Sequence, residues 1–253
     1  MVKLALVTPW SSPFIWRKFS LNVANMIAGF QRDGWGVRFF MGNGVDPAAR
    51  HNDMIQQGLD WGAHMICIIG ADQIHPEDML NKLINRWYET EGGVISALVP
   101  FRGYSPWQDM KPFQPMGWRI VNPDPSVREF RNFTEDPDMF IPIDPEDGDL
   151  QKVDVIGSGV LMFSSDVIEA LDKPWFWYKR EHETQQRSAD MDTMMVWRLR
   201  SEVQVQVWVD TTIKVKHIHD FEIDESFQYR FDDWMLPNVG DQNIIAKPPK
   251  VTI

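Results

Sequence analysis

His64-Met65-Ile66-Cys67-Ile68-Ile69-Gly70-Ala71-Asp72-Gln73-Ile74-His75 is the stretch whose reading decides the fold. Its first half, His64 to Ile69, is a short apolar run with no alternation, the pattern of a strand covered on both faces. Gly70 ends the run, and Pro76-Glu77-Asp78 opens a helical pattern through Met79, Leu80, Leu83, Ile84 and Trp87. Upstream the same alternation repeats twice. Lys3 to Val7 reads as a first strand and Ser20 as the cap of a helix carrying Leu21, Val23, Ala24, Ile27 and Phe30. Val37 to Met41 is a second strand, and Asp46-Pro47 gives a second helix an N-cap with proline at its first position. Downstream, Val94 to Val99 is a fourth strand. Strands alternating with helices predict an α/β fold with a mostly parallel sheet flanked by helices.

Beyond Pro100 the pattern breaks into a proline-rich, acidic stretch that reads as loops with one or two short strands, covering a site. Regular pattern returns with strand character over Lys152 to Phe163, a helix from Ser165 to Leu171 and another from Ala189 to Arg200. Two β-rich runs follow, Val203 to Val209 and Thr212 to His219. The expected organisation is one domain over 1–220, with a nucleotide-binding half (1–100), covering loops (101–150) and a smaller β-rich acceptor and metal half (151–220). Residues 221–253 read as a C-terminal extension.

Composition narrows the function classes. With 43% hydrophobic and 24% charged residues, the 253-residue chain has ordinary globular values and enough length for a sizeable core. A single cysteine, Cys67, excludes an intramolecular disulfide and sets a reducing, cytoplasmic compartment as the expectation. No apolar stretch approaches the roughly 18 residues of a membrane span, and the start of the chain reads as a strand rather than a signal peptide. The net charge of −11 offers no global basic field for nucleic acid. Phosphate-loop, Gly-x-Gly-x-x-Gly, Gly-x-Ser-x-Gly and Cys-x-x-Cys motifs are absent, which weighs against the corresponding NTPase, dinucleotide, hydrolase and zinc-ribbon chemistries.

Three groups of residues could carry chemistry. Asp72 and His75 follow a buried parallel strand, the crevice where open α/β sheets bind ligands; an aspartate there suits a divalent cation, and His75 equally suits a helix cap. In Thr212 to His219, alternation puts Ile213, Val215, His217 and His219 on one face, and two imidazoles so placed can share Mn²⁺ or Zn²⁺ or simply lie in a core. Asp190 and Asp192 open a helix, where carboxylates either cap or serve as a general base. Gly157-Ser158-Gly159 sits in a strand pattern, where glycine marks close approach of backbone or ligand.

Taken in order, these pieces resemble the GT-A glycosyltransferases of the family 2 kind, over roughly Lys3 to Phe221. The resemblance rests on Val7-Thr8-Pro9, Ala49-Arg50, the segment Gly62 to Leu83, Gly157-Ser158-Gly159 followed by Asp166-Val167-Ile168, Ala189-Asp190 and Val215-Lys216-His217-Ile218. It implies a GT-A, Rossmann-like fold. It also implies that Gly70-Ala71-Asp72 stands where the family has Asp-x-Asp, so that Asp72 binds the metal, Mn²⁺ or Mg²⁺, together with His217. The family's first acid is replaced by Gly70. Thr8, Pro9, Arg50, Gly70, Ala71, Asp72 and Gln73 then hold the donor. Gly157, Ser158, Gly159 and Trp175 lie at the donor sugar and acceptor, with His75 and His219 secondary and Trp107, Trp118 and Trp177 further candidates for sugar stacking. The family's Glu-Asp pair falls on Ala189-Asp190, making Asp190 the base and Asp192 its reserve.

The activity implied is metal-dependent, inverting transfer of a sugar from a nucleotide-sugar donor, UDP-sugar favoured, to an acceptor hydroxyl. The acceptor is left open among glycan, small molecule, protein and modified nucleic acid. Two other readings stand beside it: an inactive nucleotide-sugar binding or scaffold protein, motivated by Gly70 and Ala189, and a sugar-phosphate nucleotidyltransferase, disfavoured by the lack of a Gly-rich basic loop after the first strand.

Overall fold

The computed structural model describes residues 1–10, 16–100, 117–120, 140–180 and 187–218. The first half runs β1 (Val2–Pro9), α1 (Arg17–Gly29), β2 (Trp35–Gly42), α2 (Pro47–Asp60), β3 (Met65–Ile69), β4 (Gln73–Ile74), α3 (Met79–Glu89) and β5 (Val94–Leu98). There follow β6 (Gly117–Ile120), β7 (Phe140–Pro142), β8 (Leu150–Val153), β9 (Val155–Ile156), β10 (Val160–Ser164) and α4 (Ser165–Glu169). The last described elements are β11 (Lys179–Arg180), β12 (Arg187–Ala189), α5 (Met191–Ser201), β13 (Val207–Lys214) and β14 (Lys216–His217).

A seven-stranded sheet in the order β2-β1-β3-β10-β5-β13-β8 forms the centre. β2, β1, β3, β5 and β13 share one direction, while β10 and β8 oppose their neighbours. The sheet is therefore mixed and mostly parallel, the expected α/β architecture. From β1 the chain steps outward to β2, then back past β1 to β3. Right-handed crossovers turn those opposite steps into helices on opposite faces. Accordingly Leu4, Leu6, Met65, Cys67 and Ile69 join one core with Phe19, Val23 and Met26 of α1 and Leu80, Leu83 and Ile84 of α3. Ala5, Val7, Ile66 and Ile68 join the other, with Met54 and Ile55 of α2, Ile168 of α4 and Met195, Val196 and Leu199 of α5. Every residue of β3 is buried, because both its faces are covered. Cys67 lies wholly within this layer, and burial pushes its thiol up to about 12.

The local signals behave as physics requires where they are strong. Asp46 caps α2, its Oδ1 accepting from Ala49 N at 2.8 Å, with Pro47 at the first helical position. Other expectations are corrected. Ser20 does not cap α1: the helix begins at Arg17, and the Ser20 hydroxyl donates back to the Trp16 carbonyl at 3.2 Å from inside the first turn. The two β-rich runs expected over Val203–Val209 and Thr212–His219 are largely one strand, β13, with a bulge between Asp210 and Lys214. Asp210 produces it. Its buried Oδ1 accepts from Thr212 N at 2.9 Å and Thr212 Oγ1 at 2.6 Å, and its Oδ2 accepts from Arg86 Nε at 2.7 Å. The chain then leaves the main sheet, and β14 pairs antiparallel with β4, a short strand not foreseen in the sequence. Ile213, Val215 and His217 are buried as alternation predicts.

Within the stretch expected to be loops with one or two short strands, β6 and β7 pair antiparallel, and β9, from the run expected as strand over Lys152–Phe163, joins them as a third strand. Trp107, His219 and the extension over 221–253 lie outside the described residues.

Asp46→Ala removes a side-chain cap and is expected to lower the unfolding free energy by about 1 kcal/mol, whereas Asp46→Asn preserves most of it; urea titrations of the three proteins check this.

Candidate functional site

β1 and β3 are neighbouring parallel strands, so their carboxyl ends lie side by side at the edge of the sheet where such folds bind ligands. Thr8 and Pro9 end β1, and Gly70 to Asp72 follow β3. The turn 157–159 closes on them, with Gly70 N donating to the Gly159 carbonyl at 2.8 Å. Into this junction runs the side chain of Gln73, only 2% exposed. A Cβ on Gly70 would stand 2.6 Å from Gln73 Cδ, and one on Gly159 would stand 2.6 Å from Gln73 Nε2. Real Cβ atoms essentially never come so close, so a side chain at either position requires the Gln73 amide to shift from its two imidazole partners. That is the physical reason Gly70 stands where an acid was the pattern.

The amide belongs to a buried polar chain. Gln73 Oε1 lies 3.1 Å from His75 Nε2, and Gln73 Nε2 lies 3.2 Å from His217 Nε2. Beyond His75 comes Asn22 of α1. Its Oδ1 accepts from His75 N at 2.7 Å and lies 3.2 Å from His75 Nδ1, and its Nδ2 donates to the His75 carbonyl at 2.6 Å. His75 is thus no helix cap but an interior residue, and burial, reinforced by His217, lowers it to about 3. β14 supplies His217 through its pairing with Gln73, and the next residue ties down the turn, Ile218 N donating to the Asp72 carbonyl at 2.6 Å.

A second chain meets the first at the glycine turn. His51 of α2, 4% exposed, donates from Nδ1 to the Pro47 carbonyl at 2.8 Å, which leaves Nε2 to accept from Ser158 Oγ at 3.2 Å. Ser158 N donates in turn to Asp192 Oδ2 at 3.2 Å, while Asp192 Oδ1 accepts from Thr193 N at 2.8 Å. Desolvation lowers His51 to about 4 and raises Asp192 above the usual carboxylate range.

The structure therefore joins Gly70, Asp72, Gln73, His75, Gly159, Ser158, Asp192 and His217 in one connected region, with Thr8 and Pro9 on the adjoining strand end. Thr8 is fully buried, and its Oγ1 has no hydrogen-bond partner among the described residues. Arg50, on α2, spends its Nε on the Gly44 carbonyl at 3.0 Å. Asp190 holds the N-cap position of α5, exposed and making no capping bond, so Asp192 is the acid that reaches the glycine turn. Trp175 is corrected. It is 2% exposed in the core, with Lys173 Nζ 4.7 Å from its ring centroid, so it offers no open platform for a sugar. Trp177 is half-buried against Met194 of α5.

Sequence reasoning missed Asn22 and His51. Both had a signal, a polar residue at helical spacing within an apolar stripe: Phe19, Asn22 and Met26 in α1, and Ala48, His51 and Ile55 in α2.

Among the described residues no three His, Cys, Asp or Glu side chains cluster so as to hold a metal ion by themselves. By donor type alone, one carboxylate from Asp72 and one imidazole from His217 are ligands for a divalent cation that takes the rest of its ligands from phosphates, as Mg²⁺ and Mn²⁺ commonly do. No helix among the described residues is long and apolar enough to cross a membrane.

No protein-family model and no curated protein matches the chain. Solved structures do. A197 from STIV superposes with a TM-score of 0.51 at 11% identity, covering 87% of this chain and 87% of that one. S. aureus TarS 1-349 superposes with a TM-score of 0.39 at 9% identity, covering 83% of this chain and 61% of that one, too distant to define a shared fold. The likeness to A197 is one of fold, and it agrees with the GT-A-like architecture expected from the sequence.

Gly70→Ala is expected to destabilise the protein by about 1–3 kcal/mol through overpacking. Most of that penalty disappears in a Gln73→Ala background, a coupling that a double-mutant cycle of urea midpoints measures. His51 generates a pH dependence. Its folded pKa of about 4 lies below the 6.5 of the unfolded chain, so the unfolded state binds more protons between those values. Stability is complete above pH 6.5 and falls as the pH drops toward 4, by on the order of 3 kcal/mol from this residue. His51→Gln should flatten the difference between urea midpoints at about pH 7 and about pH 4.5.

Proposed function

We propose that the chain is a glycosyltransferase of the GT-A type, transferring a sugar from a nucleoside-diphosphate donor, UDP-sugar favoured, to an acceptor hydroxyl with inversion. The observation that carries the reading is the pairing of β14 with β4. It sets His217 against Gln73, 144 positions away, and seats Ile218 on the Asp72 carbonyl at the carboxyl end of β3. Two residues the resemblance assigns to one ion thus belong to one small piece of structure at the crevice of the sheet.

Asp72 and His217 would hold the divalent cation, Mn²⁺ or Mg²⁺, whose charge when bound offsets the negative charge growing on the departing diphosphate. Thr8, at the end of β1, presents its buried hydroxyl from the neighbouring strand as a contact for the donor. Asp190, exposed at the start of α5, takes the proton of the acceptor hydroxyl. That oxygen forms a bond to the anomeric carbon as the bond to the diphosphate oxygen breaks, its electron pair leaving with the diphosphate. Attack from the face opposite the leaving group gives inversion, by the geometry that separates inverting from retaining glycosidases. Asp192 acts from below the site, its carboxylate holding the backbone of the glycine turn rather than meeting the acceptor. The compartment proposed is the cytoplasm, from the single unpaired cysteine. The acceptor class is left to a screen.

A second reading has its own observation. Gly70 lacks the usual carboxylate because Gln73 fills its place, and a site with one acid fewer suits a protein that binds a nucleotide sugar without turning it over. Calorimetric titration of UDP, GDP and their sugar conjugates, with Mn²⁺, with Mg²⁺ and with chelator, tests the shared part. One nucleotide is expected to bind only with metal, and Asp72→Ala and His217→Ala should each abolish that dependence. Donor turnover then separates the readings: a transferase loses about 10²–10⁴-fold in Asp190→Asn, and a binding protein shows no turnover to lose. A folded protein that binds no nucleotide under any of these conditions overturns both.

A further inference from the structure

The buried chain Asn22–His75–Gln73–His217 carries information about where the protons lie. Asn22 is held from both ends by the backbone of His75, its Oδ1 accepting from His75 N at 2.7 Å and its Nδ2 donating to the His75 carbonyl at 2.6 Å. The orientation of that amide is therefore determined. Its Oδ1 also meets His75 Nδ1 at 3.2 Å, and a carboxamide oxygen only accepts, so the proton of His75 sits on Nδ1. The ring is 2% exposed and is held neutral by its burial. A neutral imidazole with its proton on Nδ1 has a lone pair on Nε2, and that nitrogen meets the amide of Gln73. A lone pair needs the NH₂ end of the amide, so the oxygen and nitrogen of the Gln73 carboxamide, which differ only by assignment, exchange the places given above, Nε2 facing His75 and Oε1 facing His217. The oxygen end then faces His217 Nε2, which must donate to it.

We infer that Gln73, oriented by Asn22 through His75, holds His217 in the tautomer protonated at Nε2, so that Nδ1 is the nitrogen with a lone pair to offer a divalent cation. Gln73 is in this account a positioning residue: it acts on the cation only through His217. Which nitrogen of a ligating histidine is free is set by the hydrogen bond the other makes, and losing such a partner typically weakens metal binding 10–100-fold. The step from tautomer to cation rests on the metal role proposed for His217 above.

Two-bond ¹H–¹⁵N correlation spectra of ¹⁵N-histidine-labelled, metal-free protein at neutral pH test it directly, with His75→Gln and His217→Gln spectra assigning the rings. His217 is expected to show a protonated Nε2 and an unprotonated Nδ1, and His75 the reverse. A proton on Nδ1 of His217 overturns the inference without recourse to any variant. Gln73→Met keeps the volume and removes the amide. In it, the His217 signals are expected to shift toward a tautomer mixture, and Mn²⁺ titrated calorimetrically into the variant with saturating UDP present should bind about 10–100-fold more weakly than into the wild type. An unchanged His217 tautomer in Gln73→Met likewise overturns the inference. The expected tautomers in a wild-type protein that does not bind Mn²⁺ with UDP present uphold the role of Gln73 and overturn the metal reading.

Discussion

Everything at the carboxyl edge of the sheet is arranged around one buried amide. Gln73 passes between two backbone segments, at Gly70 and Gly159, that would otherwise carry side chains in the space it fills. A buried amide left without partners costs on the order of 1–3 kcal/mol per unmet group, and here both ends are met by imidazoles. The consequence is a rigid junction of β3, the turn before β10, and β14. Each comes from a different part of the chain.

The junction can be rigid because what lies beneath it is rigid. β3 is buried along its whole length, flanked by β1 in parallel and β10 in antiparallel pairing, with a helical layer on each face. On one face α2 brings His51 under the glycine turn; on the other α1 brings Asn22 against His75. The two helix layers thus each send one polar side chain through to the same edge. Asp192 completes the set from α5: burial away from water raises its pKa, and the Thr193 and Ser158 N–H groups that hold it pull the other way.

The α/β alternation was legible because buried strands, amphipathic helices and the Asp46-Pro47 cap are local signals that tertiary contacts reinforce. The start of α1 was not, since Ser20 suits a cap and the interior of a first turn equally well. Nor was the single long β13, whose bulge begins at Asp210, a buried acid paired with Arg86, 124 positions earlier. Among the residues gathered near the strand ends, Asp72 could be placed from its position after β3, and the burial of His217 from alternation. Trp175 was misplaced because an aromatic residue has the same appearance in sequence whether it lies in a core or on a sugar platform, and only its surroundings distinguish the two.

The sequence by itself therefore determined the class of fold, the order of its elements and the neighbourhood of the strand ends, because periodicity and caps act within a few residues. Tertiary structure decided the rest. It made His75 an interior group rather than a cap and brought Asp192 rather than Asp190 to the glycine turn. It also explained Gly70 by a side chain three positions further on. The reason is steric and electrostatic: which polar groups face one another in a dry interior depends on strand register and on helix packing between distant segments, and no local pattern encodes either.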